Sequence, residues 1–242
     1  MTAPALVMVA PTSHDVRVAQ VTRALPAGLT SMRPDISVGY HCLATATTAD
    51  VARSLPRGLA EVVLVPLDLA HAIEADPSVH ALAAQLRGAK PDLAVAVSRP
   101  VGPEIHLLTI LDARLRSALA AARVLELDGL VLSSATTGDV RGAALLARRA
   151  RQWSTHHRLP CLTAVADGTG PSVAQAIQGL RSQGRRHIAV GSFFLSADEA
   201  YAAQSELALR CGAVAVSEPL AAAREVLDIV LARYAFAAMD LL

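Results

Sequence analysis

The sequence EVVLVPLDLAHAIEAD, residues Glu61–Asp76, combines a buried type of strand with a group of ionisable side chains. Val62–Val65 is too short for a helix and apolar throughout, which predicts a strand in a parallel sheet covered by helices on both faces. Pro66 lacks an N–H group and marks the end of the strand. The ionisable residues that follow are Asp68, His71, Glu74 and Asp76. Ligands of open α/β sheets bind outside the carboxyl ends of strands, so the stretch predicts a functional site. The alternative is a solvated loop in which Asp76 caps the next helix.

The composition of the 242-residue chain excludes several classes of function. Hydrophobic residues make up 53% and aromatic residues only 3%, so we expect a core of Ala, Val and Leu and no stacking platform for single-stranded nucleic acid. The net charge of +1, without a basic stripe, argues against duplex binding. We find no signal peptide and no apolar segment long enough to span a membrane. We therefore expect a cytoplasmic protein with neither a nucleic-acid nor a membrane partner.

Strands and helices alternate along the chain, and the pattern occurs twice. ALVMVAPTSHD (Ala5–Asp15) is similar to GLVLSSATTGD (Gly129–Asp139), and VAVSRP (Val95–Pro100) is similar to VAVSEP (Val214–Pro219). The offset of about 120 residues indicates a duplicated unit. The predicted fold class is α/β, with two similar lobes at residues 1–124 and 125–242, each a mainly parallel sheet flanked by helices. We expect the two lobes to leave a cleft between the carboxyl ends of their strands.

Four segments carry a resemblance to a known family: Ala5–Asp15, Val62–Leu67, Val97–Pro103 and Gly170–Val190. Through them the chain resembles the class II tetrapyrrole chelatases over nearly its whole length, and more narrowly the sirohydrochlorin chelatase type. The resemblance implies two chelatase-like lobes and a lyase that inserts Fe²⁺ or Co²⁺ into a tetrapyrrole in sirohaem or cobalamin biosynthesis. It implies a divalent metal as substrate, no prosthetic group, a tetrapyrrole partner, and a monomer or homodimer.

The histidines of the family motif are not matched at their expected positions. Family members open with a Gly-His-Gly-Ser-like loop, and Pro11 stands at that histidine position here, with Ala135 in the second repeat. Ser13 matches the serine of the family motif. The second family histidine falls on Glu74 without a gap, or directly beside His71 with a gap of two residues.

Metal insertion needs a ligand that holds the metal beside the macrocycle and a base that accepts two pyrrole protons. Imidazole suits both tasks, and a carboxylate adds charge and accepts protons. We therefore predict His71, Glu74 and His14 as catalytic residues and metal ligands. The i, i+3 spacing of His71 and Glu74 places them on one side of the chain if the segment forms a helical turn. Because the macrocycle is a polyacid, Ser13 and Arg99 are predicted to bind the substrate.

Two further hypotheses remain open. Pro11 and Ala135 also favour a non-catalytic chelatase-fold protein that binds a tetrapyrrole or a metal without inserting it. A receptor of the periplasmic-binding type is a weaker alternative, because no export signal supports it.

Other polar residues are assigned structural roles before functional ones. Asp198 and Glu199 occupy the place in the second repeat that is equivalent to His71–Asp76 in the first. Acidic residues are common where helices begin, so a structural role is preferred for them. His156 and His157 lie at a predicted helix end, where a cationic imidazole interacts favourably with the helix dipole. His41 ends the second predicted strand, where core packing is the more frequent role.

Overall fold

The computed structural model describes residues 3–10, 19–43, 47–56 and 58–241. The strands are β1 (Ala5–Ala10), β2 (Val38–Cys42), β3 (Glu61–Pro66), β4 (Ala94–Val97), β5 (Gly129–Ser134), β6 (Cys161–Val165), β7 (Ile188–Phe193) and β8 (Ala215–Val216). The helices are α1 (Ala19–Met32), α2 (Thr48–Ser54), α3 (Pro77–Ala89), α4 (Leu107–Ala121), α5 (Val140–His157), α6 (Val173–Ser182), α7 (Glu199–Arg210) and α8 (Arg224–Ala238), followed by a 3₁₀ turn at Met239–Leu241.

The first sheet has the strand order β2-β1-β3-β4, and every neighbouring pair is parallel. The central strand β3 is apolar on both faces because helices cover both, and Val62–Val65 has no exposed surface. The predicted strand is confirmed, and it ends at Pro66 as expected. The chain then stays in register with β1 for one further hydrogen bond, from the Leu67 N–H to the Val9 carbonyl at 2.8 Å.

The second sheet repeats the topology with the order β6-β5-β7-β8, again with parallel neighbours. β5 and β7 occupy its centre, and every residue of both strands is buried. Two four-stranded parallel sheets of matching strand order, each flanked by helices, confirm the predicted fold class and agree with a duplication. None of the helices in the described ranges is long and apolar enough to cross a membrane.

The chain forms two compact units, whose limits differ from the predicted lobes. Unit 1 comprises Met1–Gly102 and Arg224–Leu242, and unit 2 comprises Pro103–Ala223. The predicted division after residue 124 assigned α4 to the first lobe and α8 to the second. In the structure α4 packs on β7 and β8, whereas α8 packs on β3 and β4.

Side-chain packing explains why these two helices belong to the other repeat's sheet. The apolar face of α4 buries Leu107, Leu111 and Leu115 completely or nearly so. On α8, the Tyr234 hydroxyl donates a 2.6 Å hydrogen bond to the Pro4 carbonyl just before β1. An amphipathic pattern predicts that a helix buries one face, but it does not reveal which sheet receives that face.

Candidate functional site

The loop after β3 brings an acidic side chain onto a histidine. Asp68 is 8% exposed, and its Oδ1 accepts hydrogen bonds from the backbone N–H groups of Ala70 at 2.7 Å and His71 at 3.1 Å. Its Oδ2 lies 2.5 Å from Nδ1 of His71. A carboxylate is only an acceptor, so this contact places the proton on Nδ1 and leaves the lone pair of Nε2 available to a metal. Histidine ligands of metals are commonly oriented by such a carboxylate.

The segment after β4 packs against this loop from the side. The Gly102 N–H donates to the Asp68 carbonyl at 2.7 Å, and the Val101 N–H donates to the Pro66 carbonyl at 3.1 Å. Gly102 has φ +69°, and a Cβ there would lie 3.2 Å from the His71 carbonyl oxygen. Glycine is therefore required at this position, both for its backbone conformation and for the close approach of the two loops.

Glu74 and Asp76 follow His71 in the same loop, and the two acidic side chains have different environments. The expected helical turn across His71 and Glu74 is wrong, because the chain bends without forming a helix until Asp76 caps α3. The i, i+3 argument for a shared side therefore does not hold, and Glu74 is exposed. The cap itself is confirmed: Oδ1 of Asp76 accepts from the Ser78 N–H at 2.9 Å. Hydrogen bonds from the Ser78 hydroxyl and backbone lower the pKa of Asp76.

The remaining predicted site residues lie partly outside the described part of the chain. Ser13 and His14, together with Pro11 at the family histidine position, fall in residues 11–18, which the structure does not describe. Arg99 lies just past the carboxyl end of β4 and is exposed. It is on the same segment as Gly102, which contacts the His71 loop.

His41 is the last residue but one of β2, and its side chain leans back along the sheet. Its Nε2 lies 4.0 Å from the position of a Cβ built on Gly39, two residues earlier on the same face. Burial lowers the pKa of His41, partly offset by the charge of Asp50. This placement fits the packing role that was predicted for it.

The corresponding edge of the second sheet carries hydroxyl groups and helix caps. Ser134 ends β5, and its hydroxyl donates to the Thr136 carbonyl at 3.3 Å. The half-exposed Ala135 follows at the family histidine position. Asp139 and Asp198 cap α5 and α7, accepting from Gly142 N–H at 2.5 Å and Tyr201 N–H at 2.9 Å. The structural role expected for Asp198 is therefore confirmed, and the histidine–carboxylate pair described above is a feature of the first sheet.

Within the described ranges, one group of three acidic or imidazole side chains has ligand atoms that all lie within 4.8 Å of one another: Asp112, His156 and His157 of unit 2. Asp68, His71 and Glu74 do not form such a group among the described residues. The residue that sequence reasoning missed is Asp68, which we had noted in the stretch but not assigned to the site. The sequence shows that Asp68 precedes His71 by three residues, but it does not show that the loop bends so that the carboxylate reaches the ring.

Several solved structures share this fold. The structure of SirB from Bacillus subtilis with Fe³⁺ has a TM-score of 0.76 at 14% identity, covering 99% of this chain and 97% of that one. The sirohydrochlorin chelatase SirB from Bacillus subtilis subspecies spizizenii in complex with cobalt has a TM-score of 0.75 at 12% identity, covering 98% and 96%. CbiX, the terminal enzyme for biosynthesis of siroheme in denitrifying bacteria, has a TM-score of 0.65 at 18% identity, covering 97% and 99%. The fold is therefore that of these chelatases.

The family follows from the sequence itself. A family model described as CbiX matches residues 5–118, just under half of the chain, from β1 into α4. The matched range contains Asp68 and His71. This match confirms the resemblance to the class II tetrapyrrole chelatases over residues 5–118. No curated protein matches the chain in sequence.

Proposed function

We propose that the protein is a sirohydrochlorin-type chelatase that inserts Fe²⁺ or Co²⁺ into a tetrapyrrole in the cytoplasm. The observation that carries the proposal is the Asp68–His71 pair at the carboxyl end of β3, in the part of the chain that matches the CbiX family. The pair holds an imidazole with its Nε2 lone pair available, where ligands of parallel α/β sheets bind. Imidazole is a good ligand for both metals, which are substrates of the reaction.

The chemistry divides between the groups on the loops of unit 1. Metal–nitrogen bonds to the macrocycle form while two pyrrole N–H bonds break, and two protons must leave the site. In the proposal His71 holds the incoming metal through Nε2, and Asp68 keeps the ring in the correct orientation and tautomer. The exposed carboxylate of Glu74 accepts the two pyrrole protons one after the other and passes each to water. His14 remains the proposed second ligand on the segment after β1.

Substrate binding is assigned to cationic and hydroxyl groups. A tetrapyrrole polyacid carries several carboxylates, and an arginine guanidinium binds a carboxylate through two parallel hydrogen bonds. Arg99, exposed on the segment that contacts the His71 loop, is proposed for this role together with Ser13. Loss of Arg99 should weaken uniform binding and so raise KM more than it lowers kcat.

The test is the initial rate of metal insertion into sirohydrochlorin, followed by absorbance, with Fe²⁺ and with Co²⁺. We expect a wild-type rate above the uncatalysed one and a loss of roughly 10²–10⁴-fold in His71→Ala. His80→Ala is the matched control, because His80 is an exposed histidine on α3 and should retain the wild-type rate. Equal rates for wild type and His71→Ala would remove His71 from the mechanism.

The second candidate function is a binding protein without insertion activity. It is favoured by Pro11 and Ala135, which stand at the histidine position of the opening loop in the first and the second repeat. The same experiment separates the two functions, because a binder would change the absorbance of the macrocycle on mixing without any rate above the uncatalysed reaction. That result would replace the chelatase by the binder.

A further inference from the structure

Three metal-ligating side chains that the chelatase proposal does not use meet where α5 ends. Asp112 lies on α4, His156 and His157 are the last residues of α5, and their ligand atoms all lie within 4.8 Å of one another. We propose that they form a second metal site, which takes a divalent transition-metal ion of the Zn²⁺, Co²⁺ or Ni²⁺ type. The site belongs entirely to unit 2.

The carboxylate of Asp112 is buried and already oriented. Asp112 is 6% exposed, and its Oδ1 lies 2.6 Å from Nε2 of His157. Its Oδ2 accepts a hydrogen bond from Arg116, one turn further along α4, which fixes the plane of the carboxylate. The side chain of Arg116 is 69% exposed, so water screens most of the repulsion between its charge and a bound cation.

A metal ion can replace the proton that joins His157 to Asp112. Zinc bonds of roughly 2.0–2.2 Å in tetrahedral geometry place two ligand atoms about 3.3 Å apart, so the 2.6 Å contact must open by about 0.7 Å. Rotation of the His157 ring, whose side chain is 23% exposed, provides this movement. The proton leaves to solvent as the metal binds.

The surroundings of the two histidines favour a bound cation. His156 is exposed and supplies the ligand nearest to solvent, and its ring stands at 86° to that of His157 with centroids 4.9 Å apart. Trp153, one turn earlier and 1% exposed, meets the His157 ring edge-on at 5.7 Å and limits its tilt. The carbonyl groups at the end of α5 carry partial negative charge, which stabilises a cation there.

The donor set and its place in the fold separate this site from the proposed chelatase site. Two imidazoles and one carboxylate suit Zn²⁺, Co²⁺ and Ni²⁺, whereas Mg²⁺ and Ca²⁺ prefer oxygen ligands. α5 begins after the carboxyl end of β5 and ends just before β6, so His156 and His157 lie at the amino-end edge of the second sheet. The proposed chelatase residues follow carboxyl ends of strands in the first sheet.

Trp153 gives the site a specific reporter, since it is the only tryptophan of the chain. Titration of the full-length protein with Co²⁺, a paramagnetic ion that quenches nearby fluorophores, should quench Trp153 fluorescence in a saturable manner. Loss of an outer-shell partner of a metal ligand already costs roughly tenfold or more in metal affinity. His156→Ala removes a ligand itself and should therefore weaken Co²⁺ binding by at least about tenfold. Asp112→Asn should do the same, while His80→Ala should leave the quenching curve unchanged.

Zn²⁺ gives a second readout that does not depend on fluorescence. An ion bridging α4 and α5 binds only the folded state, so saturating Zn²⁺ should raise the Tm of wild type and of His80→Ala. It should raise the Tm of His156→Ala by less than that of wild type, and the exposed His156 side chain can be removed without loss of folding. No saturable quenching in wild type, or identical quenching curves for wild type and His156→Ala, would overturn the proposal.

Discussion

Replacing Asp68 by asparagine removes one contact of the Asp68–His71 pair and keeps the others. The asparagine carbonyl can still accept from the backbone N–H groups of Ala70 and His71, as Oδ1 does at 2.7 and 3.1 Å. The new NH₂ group replaces Oδ2, which lies 2.5 Å from Nδ1 of His71, and it cannot accept the Nδ1 proton. The ring then loses the acceptor that sets its tautomer and orientation.

The expected magnitude follows from the position of the pair. Loss of an outer-shell carboxylate from a metal-binding histidine typically costs roughly 10–100-fold in metal affinity or activity. We expect Asp68→Asn to lower the rate of metal insertion by that factor. The stability cost should be near the lower end of the roughly 1–3 kcal/mol for an unpaired polar group, because the His71 side chain is 22% exposed and water can reach it.

The assay is the initial rate of Co²⁺ insertion into sirohydrochlorin, with the free energy of unfolding measured in parallel by denaturant. Asp76→Asn is the matched control, because Asp76 caps α3 in the same loop and asparagine caps a helix about as well as aspartate. It should leave the insertion rate nearly unchanged. If Asp68→Asn retains the wild-type rate while His71→Ala loses it, the orienting role of Asp68 is refuted.

Two predictions concern backbone conformation and acid stability. Gly102→Ala should destabilise the protein by roughly 1–2 kcal/mol in denaturant unfolding, because φ is +69° and the new Cβ would approach the His71 carbonyl. The control Gly88→Ala, in α3 with open space around it, should stabilise by up to about 1 kcal/mol, and equal effects of the two variants would contradict the account. Hydrogen bonds from Thr47 lower the pKa of Asp50 from 3.8 to about 2, so its contribution to stability is present above pH 3.8 and disappears as the pH falls through about 2. Asp50→Asn should therefore unfold more easily than wild type at neutral pH but not below pH 2, and a difference that persists at the lower pH would contradict this origin.

The local parts of the fold were predictable because they depend on short windows of sequence. The apolar run Val62–Val65 predicted a buried strand, the repeated segments predicted two similar parallel sheets, and Asp76 was recognised as a helix cap. Each of these features depends on neighbours a few residues away. The resemblance to the chelatases also depended on short segments of sequence. The family match covers the first three of the four segments named above.

The partners of side chains distant in sequence were decided only by the tertiary structure. α4 and α8 have apolar faces that either sheet could have covered, and packing assigned each to the sheet of the other repeat. Asp112 and His157 are 45 residues apart and meet because both helices pack in unit 2, whereas sequence assigned His157 only a helix-end role. Even the pair Asp68 and His71 required the structure, because their contact depends on the bend of a loop that forms no helical turn. Contacts of this kind depend on backbone geometry in three dimensions, which hydrophobic periodicity does not contain.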